Sequence, residues 1–308
     1  CYSQNYSSHF YTDNQFKENA KVKPQFDGTT YSFMYGDVLF LVYSLQDYWK
    51  GAYSLSACTS TYLTNDVGNW FREQVEAHPE AKWRVALVHK NIFSGSGHQE
   101  DEETPLFRAT MLPIMKECEI DLMLQGHDHC YEVIGPVNPD TKTPILNAIE
   151  DLEPTILSAS RNKGGTFTVN DGTLYFIGAT CGAKRYNPNS KAVMEADLSK
   201  HKVENYYDLF TGMFCQPGAP SYSVFTVDGD TITVNSYRIY KGKAPELFNT
   251  FTIKRTKAHG SGGLIGQMIQ EQGAAKVIYN GHMYILRADI AYNALGQAVA
   301  EENILSKL

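Results

Sequence analysis

The sequence lacks any Cys-x-x-Cys pair. Its six cysteines, Cys1, Cys58, Cys118, Cys130, Cys181 and Cys215, are scattered, which argues against a thiolate zinc site. An even count permits disulfides, but six in 308 residues is too sparse for a disulfide scaffold and leaves the compartment open. No apolar run approaches the ~18–20 residues of a membrane-spanning helix; the best, Val38 to Leu45, has strand length. Positive charge is in deficit. Lys and Arg number 27 against 34 Asp and Glu, a net −7, so nucleic-acid binding is disfavoured as a main role. With 43% apolar and 20% charged residues and no long internal repeat, disorder, collagen and coiled coil are excluded. The length suits one large domain or two average ones. An initiating Met is also missing. The chain opens on Cys1, and residues 1–30 are polar without a signal-peptide core. The expectation is that a segment was removed ahead of Cys1 or that the chain is a fragment.

What is present reads as alternating strands and helices. Residues 31–45 (YSFMYGDVLFLVYSL) predict a hairpin turning at Gly36-Asp37. Residues 46–63 read as a loop. Thr64 or Asn65 is expected to cap a helix with Val67, Trp70, Phe71 and Val75 on one face, ending near His78-Pro79. Arg84 to Val88 predicts a short apolar strand, buried if it pairs parallel, followed by a polar loop over 94–103. Thr104-Pro105 is expected to cap and open a second helix carrying Leu106, Phe107, Met111, Ile114, Met115 and Cys118, bent at Pro113. Ile120 to Leu124 is another strand. This order favours an α/β layered architecture. Further on, Thr173 to Gly178 and Tyr222 to Val227 read as strands, and Asp228-Gly229 turns the chain into Thr231 to Ile239. Residues 184–210 read as a surface excursion. Residues 257–275 read as a linker, and the segment from Lys276 to Val299 as a hairpin joined near Ala288-Asp289.

Three histidines follow strands. His89 ends RVALV, and His127 and His129 follow DLMLQ across Gly126. Ligand sites in open α/β sheets lie beyond the carboxyl ends of strands. Neutral imidazoles there suit zinc, iron, manganese or nickel. Asp128 is expected to face away or to hold an imidazole. Glu100, Asp101, Glu102 and Glu103 read as a solvated face, and His9, His78, His201, His259 and His282 as surface residues.

The series VALVHK, a helix, then DLMLQGHDHCYE resembles the second half of the calcineurin-like metallophosphoesterases, and most their purple acid phosphatase branch. The resemblance runs back through YSFMYGDVLFLVYSL and GNWFREQV and forward through GTLYFIGATCG and FTVDGDTITVNSY, covering roughly residues 26–240. It implies an α/β fold that is part of a four-layer α/β/β/α sandwich. It implies a centre of two metal ions (Fe, Zn or Mn), bridged by a hydroxide that attacks a small phosphate-ester substrate. His89 and His127 would ligate one metal and His129 the other. His98, in the Gly/Ser loop, would be a catalytic residue donating to the leaving or phosphate oxygen, with Tyr186 and Arg185 as further candidates to reach substrate. The family's D-x-H, G-D-x-x-D and G-N-H-E/D motifs are absent from this chain. The resemblance therefore implies a C-terminal portion holding half of the site, with little activity alone.

The last segment, VIYNGHMYILR and YNALGQAV, resembles a C-terminal cassette of exported bacterial proteins. That implies export machinery as a partner and a secreted, periplasmic or cell-surface location. The expected division is 1–256 as the catalytic portion, 257–275 as linker and 276–308 as tail cassette. Two competing readings stay open: a non-catalytic surface or binding protein that keeps the fold, and a one-metal His site completed by an Asp or Glu of this chain.

Overall fold

Period-two alternation builds the main sheet of the computed structural model, which describes residues 30–43, 67–99, 101–141, 164–196 and 203–260 plus short strands elsewhere. Strands β1 (Tyr31–Tyr35) and β2 (Val38–Val42) form the expected hairpin, with Gly36 at φ 58° in the turn. That left-handed conformation is open to glycine at no steric cost. On β2, Leu39 and Leu41 face one core, while Val38 and Phe40 face another. Consecutive side chains point to opposite faces of a strand, so a run of five apolar residues needs cover on both sides. Short strands β3 (Tyr48–Trp49) and β4 (Ala52–Tyr53) pair inside the segment expected to be a loop.

Helix α1 (Gly68–Ala77) buries Trp70 and Phe71, and the His78 N–H closes it on the Gln74 carbonyl. Thr64 and Asn65, the expected cap, lie outside the described residues. Strand β5 (Trp83–Leu87) pairs parallel with β2. Helix α2 (Glu103–Glu117) begins before Thr104-Pro105, so Thr104 is a first-turn residue and not the cap. Glu103 suits the first turn because a carboxylate there meets the positive end of the helix dipole. Pro113 lies inside α2, among Met111, Leu112, Ile114 and Met115, all buried.

Strand β6 (Leu122–Leu124) pairs parallel with β5. Strands β7 (Tyr131–Thr141), β8 (Leu152–Ile156), β9 (Thr166–Thr168) and β10 (Thr173–Gly178) follow. After a short helix α3 (Lys191–Met194) come β11 (Phe214–Cys215), β12 (Ser221–Asp228), β13 (Thr231–Arg238) and β14 (Glu246–Lys254). The main sheet runs β1-β2-β5-β6-β10-β7-β11, with β8 on β7; the second runs β12-β13-β14-β9. Residues 184–210 are not wholly a surface excursion: Met194, Val203, Tyr206, Leu209 and Phe210 are buried in the core beneath α2. Apolar side chains at those positions anchor the excursion to the sheet.

The α/β class expected from the sequence is the one observed. Trp70, Phe71, Phe107 and Met111 cover one face of the main sheet. Ile232, Val234, Phe251 and Ile253 of the second sheet cover the other. Among the described residues this makes three layers, helix, sheet and sheet. No described helix is long and apolar enough to cross a membrane. Cys118, Cys130, Cys181 and Cys215 are free thiols.

The chain divides into two compact units, Cys1–Thr256 and Lys257–Leu308. The second unit contains β15 (Ala274–Tyr279), β16 (His282–Arg287), β17 (Ile290–Asn293) and β18 (Ala298–Val299), an antiparallel meander. The expected single hairpin is thus corrected to four strands, because KVIYNGHMYILR itself folds back between Tyr279 and His282.

Candidate functional site

Parallel pairing brings the ends of β5 and β6 side by side, and the site grows from that edge. The register couples Leu87 to Leu124. Beyond it, the Gly126 N–H donates to the His89 carbonyl at 3.1 Å. A Cβ on Gly126 would lie 3.2 Å from that oxygen and 3.3 Å from His89 Nδ1. Glycine is therefore what lets the two strand ends meet. His127 then takes φ 68°, a left-handed conformation uncommon for a side-chain-bearing residue and typical of functional turns.

Asp128 organises the loop instead of holding an imidazole. Its carboxylate accepts from Asn91 Nδ2 at 3.1 Å, from the Ser94 hydroxyl and from the His98 N–H at 3.2 Å. These bonds fold residues 91–98 back over the strand ends. Behind Asp128 lies Glu132 on β7, fully buried, accepting from the Gly95 N–H. Burial first, and then the Asp128 charge, push the Glu132 carboxyl well above its ordinary range. Burial raises Asp128 too, against the bonds from Ser94 and His98 that favour its charged form. The two carboxyls hold a proton on Glu132, which donates to Asp128.

The loop so folded puts the His98 ring on His127, stacked with centroids 3.6 Å apart and planes at 27°. His89 approaches His127 edge-on at 5.2 Å. His98 Nδ1 lies 2.8 Å from Asp101 Oδ2, and His127 Nε2 is 3.7 Å from that oxygen. Lys90 enters the same cluster. Its ammonium donates to Glu103 Oε1 at 2.6 Å and to His127 Nε2 at 3.0 Å, with Asp101 Oδ2 at 3.7 Å. An ammonium has no lone pair, so His127 Nε2 is the acceptor and its ring is neutral. Burial chiefly, then the charges of Lys90, His98 and His89, lower the His127 pKa to about 3. His89 is lowered by burial, then by Lys90, His129 and His98. Both imidazoles thus present lone pairs at neutral pH.

His129 stands apart from this stack. Its Nδ1 donates to the Lys184 carbonyl at 3.0 Å, so only Nε2 of this ring can offer a lone pair. Tyr186 lies between the groups, 5.0 Å from the His129 ring and 5.4 Å from the His98 ring. Lys184 Nζ stands 5.0 Å over the Tyr186 ring.

Of the four residues the sequence points to, the structure gathers His89, His98 and His127, and sets His129 across Tyr186. Two acids expected on a solvated face belong to the cluster: Asp101 and Glu103. Lys90 withdraws Glu103 from solvent, and His98 recruits Asp101. Lys90 and Glu132 were not singled out by sequence. The only local signal for Glu132 is an acid inside the apolar run YEVIGPV. His98, Asp101 and His127 form a group whose ligand atoms all lie within 4.8 Å of one another.

No protein-family model matches this chain. It is similar to purple acid phosphatase 3 of Arabidopsis thaliana, 36% identical over 81 residues, covering 25% of this chain and 20% of the relative. It is similar to purple acid phosphatase 4 of the same plant, 32% identical over 100 residues, covering 32% of this chain and 27% of the relative. An uncharacterized protein of Mycobacterium tuberculosis is 27% identical over 131 residues, covering 40% of this chain and 24% of the relative. A purple acid phosphatase from yellow lupin (Lupinus luteus) seeds superposes with a TM-score of 0.47 at 16% identity, over 74% of this chain and 33% of that one. The matched stretches span about a quarter of the curated relatives' length.

Proposed function

We propose that this chain is part of a metallophosphoesterase similar to the purple acid phosphatases, hydrolysing small phosphate esters. The observation that carries the reading is the set of neutral imidazoles at neighbouring parallel strand ends, His89 on the β5 side and His127 on the β6 side, joined through Gly126. Imidazole donors of this kind suit zinc, iron and manganese. His89 and His127 would hold one metal and His129 the second, with the remaining ligands supplied by the motifs this chain lacks. Bound metal ions would supply Lewis acidity and charge neutralisation to the phosphoryl group.

The chain's own residues do the rest. His98, backed by Asp101 at 2.8 Å, holds a proton beside His127 and donates it to a phosphate or leaving-group oxygen. Asp128 and Glu132 fix the loop that carries His98. Tyr186 walls the site between His98 and His129 and limits water. The exposed Lys184 and Arg185 beside it attract the anionic ester.

The test is p-nitrophenyl phosphate turnover by the full-length protein and by His127→Ala. A fall of about 100-fold or more is expected, in the range for removing a metal ligand or a preorganised donor; equal turnover in both contradicts the reading. Residues 1–308 alone are expected to turn over weakly, and robust metal-dependent hydrolysis by them would refute the half-site. Export rests on the tail resemblance, and cell fractionation tests it: a protein confined to the cytosol rules it out.

A further inference from the structure

Three ligand-type side chains meet at Asp101, and only one of them is among the metal ligands proposed above. His98 Nδ1 lies 2.8 Å from Asp101 Oδ2, and His127 Nε2 lies 3.7 Å from the same oxygen. Two ligands of a tetrahedral zinc, at bonds of about 2.0–2.1 Å, stand about 3.3 Å apart. The two observed separations bracket that edge. The donors are two imidazoles and one carboxylate, the set that three-ligand zinc sites use with a fourth position left to water.

A cation already sits against this group. Lys90 Nζ is 3.0 Å from His127 Nε2 and 3.7 Å from Asp101 Oδ2. Its charge is neutralised on the far side by Glu103 at 2.6 Å. The pocket thus already accommodates one positive charge between His127 and Asp101. The Lys90 side chain is long and unbranched, so the ammonium can withdraw toward Glu103 without moving the backbone.

We infer that His98, Asp101 and His127 bind one divalent metal ion of the zinc class, which displaces the Lys90 ammonium from His127. The site is distinct from the His89, His127 and His129 set but shares His127 with it, so the inference rests on the His127 position of the reading above and on nothing else in it. The two stacked rings splay beyond their 27° so that both lone pairs meet the ion. Loading would compete with the use of His98 as a proton donor, which makes the site a candidate for inhibition by excess zinc.

The experiment is calorimetric titration of Zn²⁺ into residues 1–308. It is paired with titration of Co²⁺, whose visible absorption reports tetrahedral nitrogen and oxygen ligation. One ion per chain is expected. Asp101→Asn, which keeps size and removes charge at a partly exposed position, is expected to weaken it at least tenfold. Lys90→Met, which removes the competing ammonium, is expected to tighten it, and His129→Ala to leave the Co²⁺ spectrum unchanged. Circular dichroism of each variant checks the fold. Three results would overturn the inference: no binding by the unmodified chain, less than tenfold weakening in folded Asp101→Asn, or loss of the Co²⁺ spectrum in folded His129→Ala. None of these bears on ester turnover by the full-length protein, so failure here and failure of the phosphoesterase reading are separable.

Discussion

Single residues decide what the site can hold. Asp128 lies in the middle of a G-H-D-H turn, yet three of the donors to its carboxylate come from the 91–98 loop. It is the device that brings His98 to His127. Glu132 is fully buried next to it and keeps its proton. The consequence for stability has a definite sign. The folded pKa lies above the ordinary value of 4.5, so between those values the folded state holds a proton that the unfolded state has lost. Stability is intact below the unfolded pKa and falls as pH rises through the window above it. Glu132→Gln keeps a donor to Asp128 and an acceptor for Gly95 while removing the titration. It is expected to melt close to the unmodified protein at pH 4.5 and above it at pH 8. A melting difference that does not change with pH would contradict the protonated pair. The metal-ligand candidates were legible in sequence because each follows an apolar run that ends on His or Gly-His. Lys90, Asp101 and Glu103 were not. Their partnership rests on strand-end loops meeting across 13 positions of chain from Lys90 to Glu103, and no local period encodes that.

At the scale of elements, a strand's role depends on the cover on both faces. Strand β5 shows this. Ala86 faces the helices, while Trp83 and Val85 face the second sheet. Trp83 is fully buried and its indole N–H donates to the Gly229 carbonyl at 2.9 Å, in the β12–β13 turn. Trp83→Ala removes both packing and that bond, and is expected to cost about 3–5 kcal/mol of unfolding free energy by urea titration; a cost below 1 kcal/mol would mean β5 is not sandwiched as described. Strand and helix identity were readable because Arg84 to Val88 is too short for a helix and too apolar for an exposed strand. The start of α2 was misplaced, since Thr104-Pro105 carries a local cap signal. The Lys90–Glu103 ion pair, a tertiary contact, coincides with the earlier start. The tail was misread for a different reason: β15 and β16 pair antiparallel within an aromatic-rich run that looks continuous in sequence.

Across the whole first unit, the second sheet is locked to the first at the edge opposite the histidines. Asp121, fully buried at the start of β6, accepts from Arg255 Nη1 at 2.7 Å and from the Arg84 N–H at 2.8 Å. Glu119 lies 3.6 Å from both Arg84 and Arg255. Removing one partner of a buried pair leaves the other charge uncompensated. Asp121→Ala is therefore expected to lose about 3–5 kcal/mol of stability and leave Zn²⁺ affinity unchanged below the melting transition. Affinity lost in step with stability would mean that the two edges are not independent.

The strand-end histidines are proposed to serve metal-dependent hydrolysis of phosphate esters. Chelation followed by metal replacement tests it most directly. The full-length protein is treated with chelator, dialysed, and assayed on p-nitrophenyl phosphate before and after addition of Fe, Zn or Mn. The prediction is that turnover disappears with the metal and returns with at least one of the three. Hydrolysis that survives complete chelation, or that none of the metals produces, would contradict the claim.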